Sequence, residues 1–209
     1  MLKKLSRDFR NVPAWKLADR KYSFTKVEIP KKLAAEVVLW GQQYVPERLI
    51  YPYVTPWGQV HGRENNPHIT VKWGIVHDDV EPIKALVTKC PPIVAVLGKV
   101  SCFDGDEYDV LKIDVESEDL IRLHNSICDN VENIETFEYS PHMTIAYVEP
   151  GYGHRLSGSK HFDGINLTFS RVIFVHQDKT EIPIPLDGNS VSGKLPGIIS
   201  ELESHVNLR

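Results

Sequence analysis

One heptapeptide pattern occurs twice in this chain. Pro67-His68-Ile69-Thr70-Val71-Lys72-Trp73 and Pro141-His142-Met143-Thr144-Ile145-Ala146-Tyr147 both read Pro-His-apolar-Thr-apolar-any-aromatic, with the histidines 74 residues apart. Side chains alternate along a strand, so each copy predicts a strand with Ile69, Val71 and Trp73, or Met143, Ile145 and Tyr147, on a core face. His68, Thr70 and Lys72 then share the opposite, open face, as do His142 and Thr144. A chain carrying two such copies is expected to fold as two similar halves that bring the His-Thr pairs together about a pseudo-twofold axis.

That pairing suits phosphodiester chemistry. Cleavage needs a base for the attacking hydroxyl and an acid for the departing oxygen, and imidazole performs either role near neutral pH. A threonine hydroxyl two residues further on the same face can donate to a non-bridging phosphate oxygen where charge develops. A lone His-x-Thr would carry no such argument, because threonine is common in strands for its β propensity alone. The duplication carries it. Metal ligation is not expected, since His at i with Thr at i+2 lacks a second good ligand and no cysteine or carboxylate pair has zinc-like spacing.

Periodicity places the motifs in context. Strands are predicted over 22–29, 68–76, 93–103, 108–115, 142–148, 165–169 and 172–176, with helices over 31–44, 80–90 and 118–131. Residues 45–67 hold four prolines and two glycines without a period and predict a long irregular binding loop. Tyr51, Tyr53 and Trp57 in that loop, and Tyr152 in the turn after the second motif, are candidate stacking surfaces for a base. Lys72 is a candidate phosphate contact. Three divisions follow: a basic arm over 1–21, a folded domain over 22–186 and a tail over 187–209, with a short helix predicted over 198–206.

Composition excludes several classes. Residues 1–32 carry ten Lys/Arg against three Asp/Glu, leaving fourteen against twenty-five for the remainder. An acidic body does not suit a protein that tracks a long duplex, and a small ligand is expected instead. No segment approaches the length of a membrane span, and no secretory signal follows the basic start. Cys90, Cys102 and Cys128 are odd in number and read as reduced and structural, in keeping with a cytoplasmic protein. Association into a homo-oligomer is left open.

The two motifs, their order and the strand-helix-strand text around them, over roughly residues 22–176, resemble the 2H phosphoesterase superfamily, which includes bacterial 2′-5′ RNA ligase-like proteins and cyclic phosphodiesterases. The longer text from Gly62 to Gly74, with Asp106-Glu107-Tyr108-Asp109-Val110, resembles phage-encoded members related to anti-CBASS phosphodiesterases, which degrade cyclic oligonucleotide alarm signals of bacterial immunity. The resemblance implies an α+β, bilobal fold: two antiparallel sheets with outer helices, related by a pseudo-twofold axis around a central cleft. It implies that His68 and His142 are the acid/base pair, that Thr70 and Thr144 bind phosphate, and that no cofactor is needed. Which histidine is acid and which is base stays open.

Three activities are then expected in order. The first is metal-independent hydrolysis of cyclic di- or trinucleotides, in the host cytoplasm if the source is a phage. The second is processing of RNA ends, by opening a 2′,3′-cyclic phosphate or by making and breaking 2′-5′ linkages. The third is a nucleotide-binding sponge without hydrolysis.

Overall fold

The computed structural model describes residues 22–54, 60–134 and 138–188. The expected basic arm, most of the tail and Trp57 lie outside the described residues. The elements are β1 (Ser23–Glu28), α1 (Lys31–Tyr44), a short 3-10 turn (Glu47–Leu49), β2 (Tyr53–Val54), β3 (Val60–His61), β4 (His68–Ile75), α2 (Glu81–Val87), β5 (Ile93–Phe103), β6 (Asp109–Glu116), α3 (Glu118–Asn130), β7 (His142–Val148), the single turn α4 (Gly153–Leu156), β8 (Asn166–Phe169), β9 (Arg171–Val175) and β10 (Glu181–Pro185).

Eight strands form one hydrogen-bonded antiparallel sheet in the order β10-β9-β1-β4-β7-β6-β5-β8. Its two halves, β10-β9-β1-β4 and β7-β6-β5-β8, meet along a single register pair, Ile69↔Met143. The two expected sheets are therefore the halves of one curled sheet, hinged where the two motifs touch. Each half contains the same unit of strand, helix and antiparallel return strand: β1-α1-β4 in one lobe and β6-α3-β7 in the other.

The units interlock. Helix α1 turns Leu33, Val37, Trp40 and Gly41 inward and packs against β7 of the opposite lobe. An ideal Cβ on Gly41 would stand 3.0 Å from Ile145 Cγ2, so glycine permits this close approach. Helix α3 is capped by Ser117, whose Oγ accepts from Leu120 N at 3.2 Å, and begins with Glu118 and Asp119, which suit the positive end of the helix dipole. It buries Leu120, Leu123 and Ile127 and packs against β4.

The loops cross over as well. Residues before β4 cover the free edge of β7 through Tyr51 N to Tyr147 O at 2.9 Å and Glu64 N to Ile145 O at 2.8 Å. Residues before β7 cover β4 through Ile134 N to Gly74 O at 2.9 Å and Val76 N to Glu132 O at 3.1 Å. Each motif strand is thus held by its own lobe on one edge and by the other lobe's loop on the other.

One continuous core of Ile, Leu, Val and Phe fills the helix side of the sheet, including Ile69, Val71, Met143 and Ile145. Burying each such side chain contributes about 1.5–3 kcal/mol. The helix predicted over 80–90 is shorter than expected, and the loop over 45–67 contains the β2–β3 hairpin. Strand β10 was not anticipated. Pro183 and Pro185 argue against a central strand, and β10 occupies the sheet's edge, where proline is tolerated. No helix among the described residues is long and apolar enough to cross a membrane.

Candidate active site

The Ile69↔Met143 pair is the centre of the site. Counting outward in antiparallel register sets His68 opposite Thr144 and Thr70 opposite His142, all on the face away from the core. The burial pattern agrees. His68, Thr70, His142 and Thr144 are half-buried, while Ile69 and Met143 are fully buried. Cross-strand neighbours on one face have Cβ atoms about 4.5–5.5 Å apart, so one phosphate can touch groups from both strands.

Both imidazoles are oriented in the same way. His68 Nδ1 meets Asn66 O at 2.9 Å, and His142 Nδ1 meets Ser140 O at 2.7 Å. A carbonyl oxygen only accepts, so Nδ1 carries the proton in each ring and Nε2 is left for chemistry. The proline stands between the histidine and the residue whose carbonyl accepts from it, which explains its place in the motif. Its fixed φ holds the chain so that the carbonyl two residues back reaches the ring.

A bulge follows each threonine. Lys26 pairs with Thr70 and Thr25 with Lys72, skipping Val71; Lys112 pairs with Thr144 and Leu111 with Ala146, skipping Ile145. The extra residue reverses the alternation beyond it. Two expectations are corrected by this. Lys72 does not share the face of His68 and Thr70: it is turned to the helix side, 4% exposed, with Nζ donating to Ile134 O at 2.7 Å. Trp73 and Tyr147 are not core residues; they are half-buried and stand on the cleft face.

Aromatic rings therefore flank the site in both lobes. Trp73 lies 5.2 Å from Tyr22 between centroids. Tyr147 lies 5.4 Å from Tyr108, which lies 5.5 Å from Tyr51. Tyr53 is described only as a backbone position in β2, paired with His61. Tyr152 packs against the core, with the Arg155 guanidinium 4.9 Å over its ring.

The strands before the motif strands carry charged groups that the expectations above do not include. Glu28 stands across from His68 and Lys26 across from Thr70; Asp114 stands across from His142 and Lys112 across from Thr144. Both lysines are 4% exposed. Lys112 Nζ donates to Asp114 Oδ1 and to Ser101 Oγ at 2.7 Å, and it lies 4.2 Å over the Phe103 ring. Lys26 Nζ donates to Glu181 Oε1 at 2.6 Å, while Glu28 accepts from Arg171 at 2.9 Å. A signal existed: Tyr22-x-x-x-Lys26-Val27-Glu28 and Tyr108-x-x-x-Lys112-Ile113-Asp114 form a second repeat, Tyr-x3-Lys-apolar-acid.

Electrostatics favour a neutral His142. Burial, followed by the charges of Lys112 and His68, holds its imidazole below the ordinary value, against the opposing pull of the Ser140 carbonyl and Asp114. Burial pushes the Asp114 carboxyl up, but hydrogen bonds from Lys112 and Ser101 with the charges of Lys112 and Lys99 outweigh it, so Asp114 stays below its ordinary value. Behind β4, His124 stacks on Tyr139 at 4.0 Å and is itself held below the ordinary value, chiefly by burial.

Among the described residues, Cys102, Asp104 and His154 form one group of three that could hold a metal. Sequence spacing did not reveal it, because His154 arrives from α4 fifty residues later. Cys102 Sγ is 3.7 Å from His154 Nδ1, and His154 Nε2 is 3.0 Å from Asp104. The group lies with α4 at the end of β5, and neither motif contributes to it.

The profile of the 2′-5′ RNA ligase superfamily matches residues 56–181, and the chain belongs to this family, that of the 2H phosphoesterases. Among curated proteins none matches the chain. Solved structures share the fold at low identity. A protein of Thermus thermophilus aligns with a TM-score of 0.53 and 15% identity over 80% of this chain and 99% of its own. LigT of E. coli in apo form aligns with a TM-score of 0.54 and 13% identity over 78% of this chain and 94% of its own. The same protein complexed with 3′-AMP gives a TM-score of 0.52 at 13% identity, over 78% and 94%.

Proposed function

We propose that this protein is a metal-independent phosphodiesterase acting on a small nucleotide through His68 and His142. The observation that carries this reading is the matched orientation of the two rings: each Nδ1–H is committed to a backbone carbonyl and each Nε2 is left on the open face beside a threonine. One Nε2 takes the proton of a ribose 2′-hydroxyl as its oxygen attacks the adjacent phosphorus. The other Nε2–H gives its proton to the 5′-oxygen as the P–O5′ bond breaks. Thr70 and Thr144 hydroxyls hold the non-bridging oxygens. The products are a 2′,3′-cyclic phosphate and a free 5′-hydroxyl, and water opens the cyclic phosphate with the two roles reversed. His142, kept neutral by burial and by Lys112, suits the base in the first step.

Within this class the substrate is a cyclic di- or trinucleotide signal, of the kind that phage anti-CBASS enzymes destroy. Aromatic rings on both sides of the site support a phosphodiester with a base on each side, each stacked base contributing about 1–3 kcal/mol. Incubation with cyclic di- and trinucleotides and with an RNA oligomer ending in a 2′,3′-cyclic phosphate, with EDTA present and products resolved by chromatography, tests the reading. Linear or mononucleotide products from a cyclic nucleotide are expected, and none from an analogue lacking the 2′-hydroxyl. Opening of the RNA end alone assigns RNA-end processing instead, and retention without cleavage assigns a sponge.

A further inference from the structure

The second repeat has a role of its own, and the inference rests on the phosphodiester reading above. We propose that Lys26 and Lys112 are a matched pair of anion-holding groups for the scissile phosphate, each parked on a carboxylate while the cleft is empty. Three observations converge. Both ammonium groups are taken almost wholly out of water, which is costly without an anionic partner. Both start from the residue directly across the ladder from a motif threonine, on the face that carries the histidines. Both recur at the same place in a seven-residue pattern, although the two lobes share little else in these strands.

Their partners differ in a way that fits parking rather than mere pairing. Lys112 is held by Asp114 and Ser101 within its own lobe, over the Phe103 ring that also touches His142. Lys26 reaches away, to Glu181 on the edge strand β10, and Glu181 is 44% exposed. An exposed carboxylate is a replaceable partner. A phosphodiester anion seated between Thr70 and Thr144 offers the same charge on two non-bridging oxygens, and charge-assisted bonds to it are about twice as strong as neutral ones. The threonines alone provide two neutral donors for an anion lodged on a half-buried face. The lysines complete the set, two hydrogen-bond donors and two cations in twofold array.

The probe is inorganic phosphate titrated against the full chain, followed by the rise in melting temperature and by calorimetry. Lys26→Met and Lys112→Met are expected to weaken phosphate binding by at least about tenfold each, as loss of a hydrogen bond to a charged group implies. Lys26→Arg and Lys112→Arg are expected to stay within a few-fold of wild type. Glu181→Gln is the informative second variant, since Glu181 lies half-exposed at the sheet edge and its loss removes the competitor. It should lower the melting temperature without phosphate and enlarge the rise that phosphate produces. Phosphate affinities within twofold of wild type in both methionine variants overturn the proposal, as does an effect confined to one lobe or a phosphate response unaltered by Glu181→Gln. Because the readout is binding, cleavage with lysine-independent phosphate affinity refutes only the lysines, and lysine-dependent affinity without cleavage refutes only the enzyme.

Discussion

The His142 imidazole stands edge-on to the Phe103 ring, with centroids 4.9 Å apart and planes at 88°, while the Lys112 ammonium lies 4.2 Å over that same ring. One aromatic side chain thus shields a histidine from water and positions the cation that disfavours its charge. This contact joins β5, β6 and β7 into one electrostatic unit.

The first prediction concerns acid stability. His142 and His124 both ionise below the ordinary value of 6.5 in the folded state, chiefly through burial. Between the folded and unfolded values the unfolded chain binds more protons, so stability rises with pH there. The contribution is fully present above about pH 6.5, the unfolded histidine value, and is lost as pH falls towards the depressed folded values. Melting temperature should decline through that window, and His124→Gln should flatten the decline. A melting temperature independent of pH from 7 to 5 contradicts it.

Removing the Phe103 ring should release His142. Phe103→Ala admits water to the His142 ring while Asp114 and Ser101 still hold Lys112, so the His142 midpoint in a histidine NMR titration moves up towards the ordinary value. An unchanged midpoint would show that the ring has no part in the effect.

The bulge after Thr70 is braced from behind. Tyr139 Oη donates to Thr70 O at 2.9 Å, and His124 Nδ1 meets Val71 O at 2.7 Å. Tyr139→Phe removes one buried hydrogen bond and should cost about 1–2 kcal/mol of stability. Because the lost bond holds the carbonyl of Thr70, which is proposed to hold the phosphate, turnover should fall several-fold with little change in KM. Wild-type turnover in a destabilised variant would confine Tyr139 to a structural role.

Aromatic flanks predict a different signature. Tyr147→Ala should raise KM for a cyclic dinucleotide by about 5- to 150-fold, the span of 1–3 kcal/mol per stacked base, while leaving inorganic phosphate affinity within twofold. Equal losses for both ligands would show that Tyr147 supports the phosphate and not a base.

Much of this site is legible in the sequence because its chemistry is local. Strand period and residue type together mark His68, Thr70, His142 and Thr144, and the repeat announces two lobes. Strict alternation puts Lys72, Trp73 and Tyr147 on the wrong faces because a bulge depends on the register of a partner strand, which no single segment reveals. Lys26 and Lys112 escaped notice because a lysine in an amphipathic strand ordinarily reaches water. The packing of α1 on β7 and α3 on β4 is likewise hidden, since amphipathicity marks which face of a helix is buried and not which lobe covers it.

The central claim is that His68 and His142 act as one acid/base pair, and the most direct measurement is the turnover of His68→Ala, His142→Ala and the double variant on a cyclic dinucleotide with EDTA present. Each single variant should lose about 10²–10⁴-fold in kcat, and the double variant should lose little more than either, because groups that act as a unit are not additive. Retention of wild-type turnover by either single variant, or abolition of turnover by EDTA in the unmodified protein, would contradict the account.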